Sequence, residues 1–271
     1  MLLPLYQIDA FADRPFAGNP AAVCPLTQWL PDQLLQAIAT ENNLSETAYL
    51  VPAEPAGPDA PAWHLRWFTP AREVPLCGHA TLASAFVLFD AFGVGAPDIR
   101  FHTRQSGTLI VRRDGDGLEM DFPVWPRREV PVDPAVAAAL GATPTRLFDG
   151  EDMMAVFPAR SDVAGLVPDL SAVAAVTERG LICTAPADPG LDGDADFVSR
   201  MFAPGAGIPE DPVTGSAHCM LMPYWADRLG RTTLVGRQIS ARSGRVGCRL
   251  AGDRVFLSGR CTHYLSGTIQ V

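Results

Sequence analysis

Two short motifs in the chain, EVPLCGHA and EDPVTGSA, combine residue types that could bind a small acid and exchange a proton with it. Each has a glycine, Gly78 or Gly215, followed by a polar residue, His79 or Ser216. Each stands where an extended loop enters a largely apolar segment. A helix N-terminus offers unpaired N–H groups and a partial positive charge, and glycine lets a ligand approach the backbone. The pattern predicts two anion-binding turns.

The two motifs belong to a longer internal repeat. In both copies Arg-x-Phe-x-Pro precedes Glu-x-Pro-x-x-Gly-x-Ala, and the copies are about half the chain apart. Each continues into an apolar segment, 79–92 or 216–229, that a glycine ends. Segments that are apolar on nearly all faces are expected to be buried helices. Either glycine alone could be a simple turn residue, with Ser216 as an N-cap, but the repetition favours binding.

The repeat predicts an α+β fold of two similar domains, each with a sheet or barrel wrapped around a central helix. The active site is expected in the cleft between them. The segment 123–134, PVWPRREVPVDP, carries four prolines and suits an extended crossing. We therefore predict domains at 1–125 and 126–271, and leave open that the last strand crosses back to the first domain.

Two carboxylates are placed to move a proton. Glu46 in NLSET follows a predicted helix and precedes an apolar strand, where a side chain can point into a cleft. A solvated loop glutamate is the alternative. Glu210-Asp211-Pro212 places a second carboxylate just before the second turn, and two carboxylates near one bound acid disfavour ionisation of one of them, as a proton shuttle requires. His79 is expected to be neutral, because a helix N-terminus disfavours its protonated form.

The composition excludes several function classes. The net charge of −9 and the absence of an arginine stripe argue against nucleic acid. All 21 basic residues are arginine, so the chain cannot form a Schiff base with pyridoxal phosphate or a substrate. No Walker loop or G-x-G-x-x-G turn is present, and the six cysteines and five histidines are dispersed. We expect no cofactor and no metal site.

The N-terminal sequence MLLPLYQIDAF lacks a basic segment, and no apolar stretch approaches the roughly 18 residues that a membrane span needs. The chain is therefore expected in the cytoplasm, as a homodimer that acts on a small carboxylic acid without a membrane partner. Loops 53–62 and 185–195 are expected to select the substrate.

In addition to the buried helices of the repeat, hydrophobic periodicity predicts a helix at 32–41 and strands through both halves. A hairpin is expected at Asp114-Gly115 or Asp116-Gly117. The strands are predicted at 5–11, 21–24, 47–51, 63–68, 108–112, 118–122, 153–157, 181–184, 197–202, 245–250 and 255–258.

Four motifs in order, QIDAF with FAGNPAAV, NLSET, EVPLCGHAT and EDPVTGSA, resemble the PhzF family of phenazine-biosynthesis-type isomerases, which has the diaminopimelate-epimerase-like fold. The resemblance implies a proton or double-bond shift with Glu46 as the catalytic acid/base. It also implies that His79, Asp211 and Ser216 line the site, that the Gly78 and Gly215 turns hold substrate, and that Asn19 contributes to binding.

Related racemases and epimerases use two cysteines, one beside each glycine. Here Cys77 precedes Gly78, but Thr214 precedes Gly215, and a threonine hydroxyl is too weak an acid or base to replace a thiolate. Cys77 is therefore expected to be a buried small residue. Two alternatives stay open: an amino-acid or hydroxy-acid racemase that pairs Cys77 with Glu46, and a non-catalytic protein that binds small acids.

Overall fold

The computed structural model describes residues 1–54 and 61–271, so most of the predicted loop 53–62 lies outside the described residues. The chain divides into two compact units. Unit 1 contains residues 1–121 together with 258–271, and unit 2 contains residues 122–257. In the described parts of the chain, no helix is both long and apolar enough to span a membrane.

The described residues among the first 123, which are 1–54 and 61–123, form eight strands and two helices. They are β1 (Leu2–Ala10), β2 (Asn19–Pro25), α1 (Asp32–Asn42), β3 (Glu46–Pro52), β4 (Ala62–Phe68), β5 (Glu73–Val74), α2 (Gly78–Asp90), β6 (Asp98–His102), β7 (Thr108–Asp114) and β8 (Gly117–Pro123). The strands pair in the order β1–β2–β3–β4–β6–β7–β8, with β2–β3 and β4–β6 parallel and the other pairs antiparallel.

The remaining residues form ten strands and five helices. They are β9 (Arg127–Val130), α3 (Pro134–Leu140), β10 (Arg146–Gly150), β11 (Met153–Val156), α4 (Arg160–Ala164), α5 (Leu170–Val176), β12 (Leu181–Pro186), α6 (Pro189–Asp192), β13 (Phe197–Ala203), β14 (Ile208–Asp211), α7 (His218–Leu229), β15 (Thr233–Gln238), β16 (Gly244–Ala251), β17 (Arg254–Gly259) and β18 (Cys261–Gln270). A 3-10 helix at Pro204–Ala206 precedes β14.

Unit 2 repeats the strand pairing of unit 1. Its strands pair in the order β10–β11–β12–β13–β15–β16, alternating antiparallel, parallel, antiparallel, parallel and antiparallel. The series β1–β2–β3–β4–β6–β7 alternates in the same way. The internal repeat found in the sequence therefore corresponds to a repeat of sheet topology.

A buried helix packs inside each sheet. α2 contacts β1, β2, β3, β7 and β18, and nearly all its residues from His79 to Phe89 are buried. α7 contacts β15 and β16 and is buried from His218 to Ala226. Both helices are apolar around most of their circumference, which is why a sheet can cover them from several sides.

The repeated arginine and glutamate of the internal repeat have a structural role in both units. Nε and Nη2 of Arg66 donate to the two carboxylate oxygens of Glu73 at 2.7 Å each. Arg200 and Glu210 form the same two-bond pair at 2.8 Å. The first pair joins β4 to β5, and the second joins β13 to β14. In each unit the second of these strands leads into the turn of the motif. Glu210 is thus bound to Arg200, whereas Asp211, the next residue, is the predicted site carboxylate.

The last strand, β18, pairs antiparallel with β1 from Leu2↔Gln270 to Ala10↔Cys261. It belongs to unit 1, although all of unit 2 precedes it in the chain. The structure also confirms the predicted hairpin, because Asp114 pairs with Gly117 around Gly115, whose φ is +58°.

Candidate active site

Three reactive side chains of unit 1 meet at the start of α2. Glu46 is the first residue of β3, Cys77 directly precedes α2, and His79 is the second residue of α2. His79 Nε2 lies 3.1 Å from Glu46 Oε2, and His79 Nδ1 lies 3.5 Å from Cys77 Sγ. The exposed fractions of the three residues are only 8% for Glu46, 7% for Cys77 and 5% for His79. A buried acid, thiol and imidazole therefore share one cluster.

The local sequence explains why Glu46 is held there. The helix α1 ends at Asn42, and the left-handed backbone of the next residue, Asn43 (φ 50°), turns the chain sharply into β3. β3 then runs parallel to β2, with Glu46 opposite Ala21. The solvated-loop alternative for Glu46 is wrong, since the side chain lies at a strand mouth and contacts His79.

His79 differs from its expected state. Burial alone would lower its pKa, but the neighbouring Cys77 and Glu46 more than offset that effect, and the pKa of His79 is raised well above its usual value. The pKa of the Cys77 thiol is raised to about 11, mainly by burial and to a smaller extent by the neighbouring Glu46. Cys77 is therefore a neutral thiol near neutral pH, which leaves Glu46, 3.1 Å away, as the group that favours the protonated imidazole. The raised pKa runs against the predicted neutral His79, because that prediction considered the helix N-terminus without Cys77 and Glu46.

Asn19 begins β2, two residues before the residue that pairs with Glu46. It is fully buried and lies opposite Ala10 of β1. The preceding residue, Gly18, has a φ of +65°, and a Cβ there would lie 2.1 Å from the carbonyl oxygen of Ala10. The glycine of the AGNP motif is thus required to bring Asn19 to this strand end.

In unit 2 the residues of EDPVTGSA form a rigid turn. Thr214 Oγ1 donates to Asp211 Oδ2 at 2.5 Å, and both residues are buried. Ser216 is half-buried in the turn 215–217 that leads into α7. The N–H groups of His218 and Cys219 donate to the carbonyls of Gly215 and Ser216, so this entry is a series of tight turns. For this reason α7 begins at His218, two residues later than predicted.

Gln238 at the end of β15 holds this turn at both ends, and no sequence motif singled it out. Its Oε1 accepts from the N–H of Thr214 at 2.8 Å, and its Nε2 donates to the carbonyl of Asp211 at 2.6 Å. Gln238 is fully buried. The only sequence signal was its place in GRQISARSG, a segment that follows the second motif.

Neither Gly78 nor Gly215 is among the glycines with positive φ in the described residues. Their backbone angles are therefore open to other residues, and a turn requirement does not explain the two glycines. Close approach of a ligand to the backbone remains the physical reason we favour for glycine at both positions.

The chain was compared with known proteins. Residues 8–267 match the sequence model of the PhzC-PhzF family, described as phenazine biosynthesis-like protein. An uncharacterized isomerase of Pseudomonas aeruginosa is 48% identical over 271 residues, with both chains fully covered. The crystal structure of a PhzF-family phenazine biosynthesis protein from Enterococcus faecalis superposes with a TM-score of 0.92 at 42% identity, with full coverage of both chains.

A more distant structure shows the same fold. The crystal structure of a probable proline racemase from Agrobacterium radiobacter has a TM-score of 0.61 at 12% identity, covering 99% of this chain and 92% of the other. The comparisons confirm the predicted α+β, diaminopimelate-epimerase-like fold.

Proposed function

The chain belongs to the PhzC-PhzF family of phenazine biosynthesis-like proteins, and we propose that it is an isomerase that moves a proton on a small carboxylic acid without a cofactor. The name of its Pseudomonas aeruginosa relative supports an isomerase. The observation that carries the proposal is the buried contact of 3.1 Å between Glu46 and His79.

The chemistry follows from that contact. Glu46 as carboxylate removes a proton from a carbon of the substrate and, as carboxylic acid, returns it to another carbon, so that a double bond shifts and no atom is gained or lost. The protonated imidazole of His79 stabilises the carboxylate before the transfer and the negative charge on the substrate after it. A shielded site strengthens both interactions.

The helix ends supply the binding groups. In unit 1 the N–H groups in the first turn of α2, at Gly78 and the residues that follow, have no carbonyl partner within the helix and suit a carboxylate. We propose that the turn at Gly215, with Asp211 and Ser216, likewise binds a substrate group. That part of the proposal rests on the duplication of the motif.

A racemase that pairs Cys77 with Glu46 is a second candidate, because Cys77 belongs to the cluster. Against it, the Cys77 thiol has a pKa of about 11, which leaves little thiolate to act as a base. In unit 2 the corresponding Thr214 donates its hydroxyl to Asp211. Cys77→Ser would abolish racemisation but leave a Glu46-dependent proton shift largely intact.

The test of the proposal begins with a ligand. A library of cyclohexadienyl and amino acids is screened for compounds that raise the melting temperature. Each one found is then incubated with protein in D₂O, and deuterium uptake at carbon is followed by NMR. A protein that only binds acids would show the thermal shift without exchange, and this would reject the isomerase proposal.

The role of Glu46 is tested with Glu46→Gln. This variant is expected to fold normally and to lose at least about a hundredfold in exchange rate, the lower end of what general acid–base catalysis contributes. Glu41→Gln, at an exposed position of α1, is the matched control and should keep the full rate. Near-normal exchange in Glu46→Gln would remove Glu46 from the mechanism.

We also propose that the enzyme is cytoplasmic and homodimeric and binds neither nucleic acid nor membranes. The net charge of −9 disfavours binding to phosphate backbones and anionic lipids. Sedimentation of the purified protein tests the dimer directly, and a monomer at micromolar concentration would contradict it.

A further inference from the structure

We propose that Glu46, Cys77 and His79 form a binding site for a thiophilic divalent cation such as Zn²⁺ or Cd²⁺, and that the bound cation inhibits the enzyme. The binding site stands on the geometry of unit 1 alone. The inhibitory effect rests on the proposed function, because it assumes that Glu46 and His79 move or stabilise a proton.

The three side chains are spaced as metal ligands. One potential ligand atom from each lies within 4.8 Å of the others. His79 Nε2 is 3.1 Å from Glu46 Oε2 and 4.0 Å from Cys77 Sγ. In a tetrahedral zinc site with bonds of about 2.0–2.3 Å, neighbouring ligand atoms are about 3.3–3.8 Å apart. The two distances to His79 Nε2 lie on either side of that range, and the third, between Cys77 Sγ and the Glu46 oxygen, is at most 4.8 Å. Rotation of the Cys77 and Glu46 side chains towards each other would complete the site.

The cluster also contains a buried carboxylate oxygen. Glu46 Oε2 is buried, and its 3.1 Å contact with His79 Nε2 is not an aligned hydrogen bond. A buried charge is costly unless it is paired. A cation at the centre of the cluster would pair with Glu46 in place of the imidazole proton.

The donor set selects the kind of metal. Thiolate and imidazole favour Zn²⁺ and Cd²⁺, whereas Mg²⁺ and Ca²⁺ prefer sites built from oxygen. Three protein ligands leave a fourth position for water. On binding, Cys77 releases its thiol proton and His79 its ring proton to solvent, since metal ligands must be deprotonated.

Such a cation would block the proposed chemistry. It would occupy the lone pairs of Glu46 and His79 that accept or hold the proton, so the enzyme could not protonate or deprotonate its substrate. We therefore expect an inhibitor and not a cofactor, which agrees with the expectation that no metal is needed for activity. The dispersal of cysteine and histidine in the sequence concealed this cluster.

The experiment uses tag-free, reduced and EDTA-stripped full-length protein, titrated with Zn²⁺ in a calorimeter. One equivalent is expected to bind, and Mg²⁺ at the same concentration is expected to show no binding. Cd²⁺ should produce the ultraviolet charge-transfer band of a Cd–thiolate bond. Cys77→Ser, Glu46→Gln and His79→Asn should each weaken Zn²⁺ binding at least about tenfold, and Cys77→Ser should abolish the band.

Cys261→Ser is the matched control, because Cys261 is the partly exposed cysteine of unit 1. It should bind Zn²⁺ like the wild type. Undiminished binding or an undiminished Cd²⁺ band in a folded Cys77→Ser variant would overturn the site. Melting curves without metal establish that each variant is folded.

The two proposals can fail separately. If Zn²⁺ binds as expected but Glu46→Gln keeps full exchange, the metal site stands and the proposed function fails. If Glu46→Gln is inactive but Zn²⁺ neither binds nor slows exchange, the function stands and the metal site fails.

Discussion

His218 should make the protein sensitive to mild acid. It is fully buried, its Nδ1 lies 2.8 Å from the carbonyl oxygen of Thr214, and burial lowers its pKa from 6.5 to about 4. The unfolded chain therefore takes up a proton at higher pH than the folded chain, and stability falls as the pH drops from about 6.5 to about 4. Because the pKa falls from 6.5 to about 4, the free energy of unfolding should be lower by about 3 kcal/mol below pH 4 than above pH 6.5. At pH 5 the loss should be about 2 kcal/mol.

The surroundings of His218 explain why the charged form is so costly. Its Nε2 is buried without a hydrogen-bond partner among the described residues, and its ring lies 5.9 Å from that of Phe197. A Cβ at Gly236 would lie 2.8 Å from Nε2, so this side of the ring has no room for water. A second ring proton would have no acceptor.

The assay is urea unfolding at pH 7 and pH 5 for the wild type, His218→Asn and His263→Asn. Asparagine at position 218 can still donate to the Thr214 carbonyl but does not titrate. Between pH 7 and pH 5 the free energy of unfolding of this variant should therefore fall by about 2 kcal/mol less than that of the wild type. His263 is exposed, and its variant should keep the full loss. An equal acid loss in the wild type and His218→Asn would refute the reasoning.

Three further predictions concern the turns and the cofactor requirement. Gly78→Val and Gly215→Val should both fold, because neither glycine has a positive φ. Each variant should lose the rise in melting temperature that a ligand acid gives the wild type, because the valine side chain blocks the backbone N–H groups. A full rise would show that the turn does not contact the ligand. EDTA and added nicotinamide, flavin or pyridoxal cofactors should leave deuterium exchange undiminished, and a loss restored by one metal would contradict this. Gln238→Leu should lower the free energy of unfolding by about 2 kcal/mol and weaken acid binding, since it removes the hydrogen bonds of Gln238 with the Thr214 N–H and the Asp211 carbonyl. Calorimetry that shows an unchanged affinity would limit Gln238 to a stabilising role.

The fold was more predictable from the sequence than the site. The repeated arginine and glutamate appear in both halves because each half needs the same two-bond pair, Arg66 with Glu73 and Arg200 with Glu210, between two strands. Local patterns also placed α1 to within one residue of its end at Asn42. The strand β18 was missed, because CTHYLSGTIQ has no apolar alternation and is largely exposed.

The site depends on contacts that no local pattern encodes. Glu46 and His79 are brought together by the pairing of β2 with β3 and the packing of α2 on both, so motif spacing could name the residues but not their distance. The same holds for Gln238, whose two partners lie more than twenty residues earlier. The pKa of His79 is raised by Cys77, two residues away, and by Glu46, which is distant in sequence, so the helix N-terminus alone did not indicate that direction.

The pairing of β1 with β18 fixes an order of events during synthesis. Residues 122–257, which form unit 2, leave the ribosome as one continuous segment. During that time β1 has already been synthesised, but its antiparallel partner β18 has not. Until residues 261–270 emerge, the backbone N–H and C=O groups along that side of Leu2–Ala10 have no partner strand. An open edge of this kind attracts other chains. The nascent protein therefore carries an aggregation-prone edge for more than half of its translation, and a chaperone that covers extended segments would protect it until the last strand closes the sheet.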